Sequence, residues 1–220
     1  RQRQMCIRDR SWDVELIKRV GEMIGHEMEL FNVTLWLAPG MNIHRNPLCG
    51  RNFEYYSEDP LLAGMMAAAM TLGVQKVPGC GTTIKHFACN NQEDNRMGSD
   101  SILSERALRE IYLKGYEIAV KEGGARSIMS TYGPVNGIWT AGNYDLLTTI
   151  LRGEWNYDGF VMTDWWAMSN REGYEATRTT HAPMVSAGND VFMVCNDCTD
   201  MSQDDVCLLY TSDAADDGES

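Results

Sequence analysis

Strand-length apolar runs alternate with helix-length periodic stretches through most of this chain, and no other feature constrains its fold so tightly. "WDVELIKRVGEMIGHEMELF" (12–31) repeats its apolar residues at helical spacing, and "VTLWLAP" (33–39) reads as a buried strand. A long polar loop leads to Asp59-Pro60, an N-cap followed by proline at the first helical position, ahead of "LLAGMMAAAMTLGVQ" (61–75). Strand "TTIKHFA" (82–88), helix "SERALREIYLKGYEIAVKEG" from Ser104, strand "RSIMST" (126–131), helix "YDLLTTILRGEW" (144–155) and strand "GFVMTD" (159–164) continue the series. A weaker helical pattern at 170–187 precedes a last strand, "NDVFMV" (189–194). About five strand–helix units running one way require a parallel α/β architecture. Two solutions meet that requirement, an open doubly wound sheet and a closed eight-stranded barrel.

Composition excludes several partners. The 31 acidic residues outnumber the 19 basic ones, for a net charge of −12, which argues against nucleic acid or an anionic membrane as partner, since both need clustered Lys and Arg. No stretch approaches the roughly 18 apolar residues of a membrane span. The first residues, "RQRQMCIRDR", have no apolar core of the signal-peptide kind. Residues 1–10 and 205–220 share no period with the middle and read like translated sequencing-adapter sequence. The fold is therefore read from 11–204, with the true N-terminus expected to be missing. Localisation stays open, the cytoplasm being preferred.

Of seven cysteines, Cys6 and Cys207 fall in those ends. Cys49, Cys80, Cys89, Cys195 and Cys198 are an odd number in a chain large enough not to need staples, so reduced, mostly buried thiols are expected. "CNDC" (195–198) has no second pair, and "NVT" (32–34), a glycosylation sequon, sits where a buried strand begins. "GCGTT" (79–83) precedes a strand instead of following one and lacks the third glycine of a dinucleotide site. Walker, HExxH and EF-hand patterns are also missing, so no cofactor or metal is expected.

The chemistry-bearing residues gather at the C-terminal ends of the strands. The first strand is followed by "NIHRNPLCGRNFEYYSED"; the second ends in Lys85-His86, the third in Ser130-Thr131-Tyr132, the fourth in Asp164-Trp165-Trp166. Such groups on successive parallel strands converge on one pocket. Their types suit a sugar: Lys, Arg, His and Asn bind hydroxyls, tryptophan covers the apolar C–H faces, and a positioned carboxylate can attack an anomeric carbon. Lys85 and Arg51 would keep that carboxylate ionised. On residue chemistry alone Asp164 serves equally well as a helix cap, Arg51 as a surface partner of Glu54 or Glu58, and His86 as a satisfied core histidine. Tyr132 could be ordinary strand-end packing, whereas a strand lysine such as Lys85 already favours function.

"GMNIHRNPLCGRNFEYYSEDPLLAG", "KHFACNNQEDNR", "MSTYGPVNG" and "GFVMTDWW" closely resemble glycoside hydrolase family 3, above all its bacterial β-glucosidases, over about residues 11–200. The resemblance implies a TIM-type (β/α)8 barrel, here partial, and retaining hydrolysis through a glycosyl-aspartate. It makes Asp164 the nucleophile and places Arg51, Lys85, His86 and Tyr132 around the non-reducing sugar, with Trp165 beside the sugar or leaving group. It further implies that the first barrel strands, with a sugar-binding aspartate, and a second α/β domain carrying the acid/base carboxylate are missing here. The N-acetylglucosaminidase branch uses a histidine–aspartate pair soon after "KHF"; the corresponding "ACNNQEDNRMGSDS" has no histidine. Glu93, Asp94, Asp100 and Glu105 are read as solvated loop and helix-start charges, and His26, His44 and His181 receive no chemistry. Expected partners are small β-glycosides or oligosaccharides and the second domain of the same chain. Two other readings stay open: a barrel lyase or aldolase forming a Schiff base on Lys85, and an inactive fragment or sugar-binding module.

Overall fold

The computed structural model describes residues 10–170 and 174–193. Asp13, whose carboxylate accepts from the Leu16 amide at 2.9 Å, caps α1 (Val14–Leu30), and the chain then enters β1 (Leu35–Trp36). Asp59 caps α2 (Pro60–Val74), accepting from the Leu61 and Leu62 amides at 2.7 and 3.3 Å, with proline at the helix start as its sequence requires. After β2 (Gly81–Phe87), Ser104 caps α3 (Glu105–Ala107), which runs through a π-helical turn (Leu108–Tyr112) into α4 (Lys114–Lys121). β3 (Ser127–Ser130) leads to a small antiparallel hairpin, β4 (Pro134–Val135) and β5 (Ile138–Trp139). A 3₁₀ turn (Thr140–Gly142), a π-helix (Asp145–Glu154), β6 (Phe160–Met162) and α5 (Ala182–Ala187) complete the described elements.

The sheet order is β1-β2-β3-β6, every pair parallel, so each strand lies beside the previous strand of that sheet in the chain. A doubly wound sheet reverses its strand order at a switch point, whereas a barrel never does. The unreversed order therefore selects a sector of a (β/α)8 barrel from the two architectures that the sequence pattern left open. β3, in the interior of the sheet, is covered on both faces, all four of its residues being buried. Phe87 on the outer face meets Tyr116 and Trp155 edge-on, with ring centres at 5.2 and 5.9 Å, within a core that includes Ile17, Met70 and Leu151.

In the outer layer α2 is packed between α1 and α4. Gly21 of α1 lets the backbones meet: a Cβ there would lie 2.5 Å from the Met70 carbonyl oxygen. Among the described residues no helix is long and apolar enough to cross a membrane.

Two expectations for the last unit are corrected. The helical pattern at 170–187 yields a helix over Ala182–Ala187 alone, with 171–173 outside the described residues. The last strand is reduced to a single bridge, Val191 to Met162, supported by amide–carbonyl bonds from Val191 to Val161 and from Thr163 to Val191; Val194 lies outside the described residues. Arg152 explains how so short a pairing holds, since its guanidinium bonds the Gly159 and Gly188 carbonyls and the Asp190 carboxylate, which itself accepts from the Val161 amide at 2.7 Å. The β4–β5 hairpin had no strand signal, because Pro134 and the turn residues Asn136 and Gly137 read as loop.

Candidate active site

The site is built on a break in the β2 ladder. Lys85 pairs with Met129 of β3 and Phe87 pairs with Ser130, so His86 is an extra residue with no partner in register. A bulge of this kind re-aims side chains and takes backbone groups off the ladder. Side chains replace the lost bonds: Asn42 accepts from the His86 amide at 2.8 Å and donates to its carbonyl at 2.9 Å, and the Tyr116 hydroxyl donates to the same carbonyl at 2.8 Å. Neither backbone group of His86 is left without a bond.

Arginine can only donate, so the 3.0 Å contact from Arg51 makes His86 Nε2 an acceptor. The ring proton therefore sits on Nδ1, 3.2 Å from the Tyr55 hydroxyl, which also accepts from Asn90 at 2.8 Å. Burial first, then the cations Arg51, Lys85 and Arg96, hold the His86 pKa well below its ordinary value. The 3.6 Å approach of Nε2 to Asp164 Oδ2 is thus no ion pair, since the ring is neutral.

Asp164 stands just past β6 and is 7 % exposed. Its Oδ1 accepts from the Trp165 amide at 2.7 Å, and the Tyr132 hydroxyl donates to the same carboxylate. No helix starts there, because residues 165–166 form a turn and α5 begins at Ala182; Asp164 caps nothing. Burial raises its pKa above the ordinary aspartate value, against the Trp165 amide, Tyr132, Arg51 and Arg96. Of the two cations that the sequence offered for keeping this carboxylate ionised, Arg51 does act in that direction. Lys85 is committed elsewhere, with its ammonium 2.9 Å from Glu54 Oε1.

Arg51, Lys85, His86, Tyr132 and Asp164 do come together in one cluster, with Trp165 half-buried at its edge. Sequence reasoning overlooked the groups that join them. Glu54 takes Arg51 on one oxygen (2.8 Å) and Lys85 on the other. Burial alone would raise this carboxyl, but Lys85 and Arg51 outweigh it and hold it below the usual range. Glu93 is not a solvated loop charge: it lies 3.7 Å from Arg51 Nε, pairs with Arg96 at 2.9 Å and accepts from Asn90. Arg96 in turn sits 4.6 Å from the centre of the Tyr132 ring. Three cations (Lys85, Arg51, Arg96) thus face three carboxylates (Glu54, Glu93, Asp164). Asp94, Asp100 and Glu105 are exposed, as the sequence implied. The signal for Glu93, Asn90 and Arg96 was their place on the loop leaving β2, the end where the other polar groups gather.

A cavity of about 520 Å³ adjoins the cluster, sharing Asn90, Glu93 and Arg96 with it; Asp164, His86 and Lys85 do not line it. Cys49 and Cys80 are partly buried free thiols, and Cys89 is a buried one whose pKa burial raises to about 12; Cys195 and Cys198 lie outside the described residues.

Comparison with known proteins gives these residues a context. The family model "Glycosyl hydrolase family 3 N terminal domain" matches residues 4–219. A β-glucosidase of Ruminococcus albus is 57% identical over 187 residues, 85% of this chain and 20% of that protein. The crystal structure of a β-glucosidase from Paenibacillus barengoltzii superposes with a TM-score of 0.91 at 50% identity, covering 96% of this chain and 23% of the other. β-Glucosidase 3B of Thermotoga neapolitana, solved in complex with α-D-glucose, gives 0.84 at 43% identity, covering 96% and 28%. The chain spans about a fifth of the length of the curated relatives it matches. With the unreversed parallel strands and the polar cluster at their C-terminal ends, the match is to a TIM-like α/β fold, and the chain belongs to glycosyl hydrolase family 3, within its N-terminal domain.

Proposed function

We propose that this chain, over residues 11–204, is the catalytic-barrel part of a longer retaining β-glycosidase that removes terminal β-D-glucosyl or closely related residues. The observation that carries the reading is Asp164: a buried carboxylate at a strand end, held by two donors, with no helix to cap. The activity named for the relatives supports a β-glucoside as substrate. Asp164 attacks the anomeric carbon as the bond to the leaving oxygen breaks, and that oxygen takes a proton from an acid outside this chain, contributed by a second domain. The products of this half-reaction are the free alcohol and a glycosyl ester on Asp164, which water then hydrolyses with the same group acting as base. The Trp165 amide and Tyr132 hydroxyl orient the carboxylate. Arg51 and Lys85 bind sugar hydroxyls, the neutral His86 joins them by exchanging the Arg51 hydrogen at Nε2 for that of a hydroxyl, and Trp165 covers an apolar face of the ring.

A 2-deoxy-2-fluoro β-glucoside is expected to trap the longer enzyme as a covalent adduct, and peptide mapping is expected to find the sugar on Asp164. A label on another residue, or a product of inverted anomeric configuration, overturns the assignment. The Schiff-base reading loses its footing in Lys85, whose ammonium is paired with Glu54.

A further inference from the structure

We propose that Glu54 is a positioning residue that fixes the sugar-binding cations and balances their charge against the nucleophile, an inference that rests on the function proposed above. Its two oxygens are divided between partners from different elements, Lys85 of β2 and Arg51 of the loop after β1. Both cations are largely buried, with side chains 15% and 17% exposed, so each requires a counter-charge or a firm hydrogen-bond partner. Without Glu54, Lys85 loses the only carboxylate within ion-pair distance of it among the described residues, and Arg51 keeps its bond to the neutral His86 but, as a counter-charge within ion-pair distance, only the more distant Glu93. The remaining positive charge would then act on Asp164, which faces Arg51 from the β1 loop, His86 from β2, Arg96 from the loop after β2, and Tyr132 from the end of β3. Glu54 therefore does two things: it aims the cations and keeps the carboxylate from being over-stabilised.

Two readouts separate this role from a merely structural one. In the longer enzyme, Glu54→Gln is expected to raise KM for an aryl β-glucoside about tenfold or more, the scale of one lost charged contact. It is also expected to move the acid limb of kcat/KM to lower pH by about half a unit or more, because the field at Asp164 becomes more positive. Glu54→Asp keeps the charge but shortens the arm, so it should raise KM while leaving the acid limb in place; it also carries the test if Glu54→Gln does not fold. Peptide-mapped acetylation by acetic anhydride should label Lys85 several-fold faster in Glu54→Gln than in the wild type. An unchanged Lys85 labelling rate, or an acid limb that shifts equally in both variants, overturns the inference. A folded wild type that hydrolyses no glycoside refutes the proposed function instead, and the Lys85 labelling still decides whether Glu54 holds its partner.

Discussion

Ionised Asp164 costs the fold free energy. Its folded-state pKa is raised, with burial as the leading cause, so the unfolded chain carries the charge more readily than the native one. The contribution is complete below the ordinary aspartate value near 3.8 and is lost as pH rises through the raised folded value. Asp164→Asn removes the charge and keeps the shape. Scanning calorimetry of the longer enzyme at neutral pH is expected to show a higher unfolding midpoint for that variant, while kcat for aryl glucosides falls by several orders of magnitude. A lower midpoint would mean that the donors, and not burial, dominate at this site. That Lys85, His86, Tyr132 and Asp164 would gather was legible in the sequence, because all four stand at strand ends. The groups between them were not. Glu54 is an ordinary i+3 partner of Arg51 until the fold brings Lys85 to its other oxygen, and Glu93 reads as loop charge until the loop folds back over Arg51.

Elements were legible where packing agreed with periodicity. The helices capped by Asp13, Asp59 and Ser104, and the strands around Ile84, Ile128 and Val161, lie where the pattern put them. The bulge at His86 left no trace, since "TTIKHFA" reads as an unbroken strand and the irregularity depends on Asn42 and Tyr116 from elsewhere. The tight meeting of α1 and α2 can be tested directly. Gly21→Val would push side-chain carbons into the Met70 carbonyl, with backbone on the other side that cannot yield, at a cost of about 2–3 kcal/mol. The unfolding midpoint of the longer enzyme should fall by about one to a few °C. Glu22→Ala, one residue on, removes only an exposed pair with Lys76 and should leave the midpoint unchanged.

At the scale of the whole molecule, the described sheet is a sector of a barrel with β1 at one margin and the short Val191 pairing at the other. A closed barrel has no free edge, whereas a sector exposes amide and carbonyl groups along both margins. Residues 11–204 produced alone are expected to aggregate or to remain molten; a monomer with a sharp cooperative melt in near-UV circular dichroism would contradict this. The unreversed strand order also sets a timetable. During synthesis each strand of the main sheet finds its neighbour already made, so assembly can follow the ribosome without waiting for distant partners. Arg51, Lys85 and Arg96 all leave the ribosome before Asp164 does. The carboxylate is thus the last charge of its cluster to be made, and it enters a nascent interior whose counter-ions are already waiting.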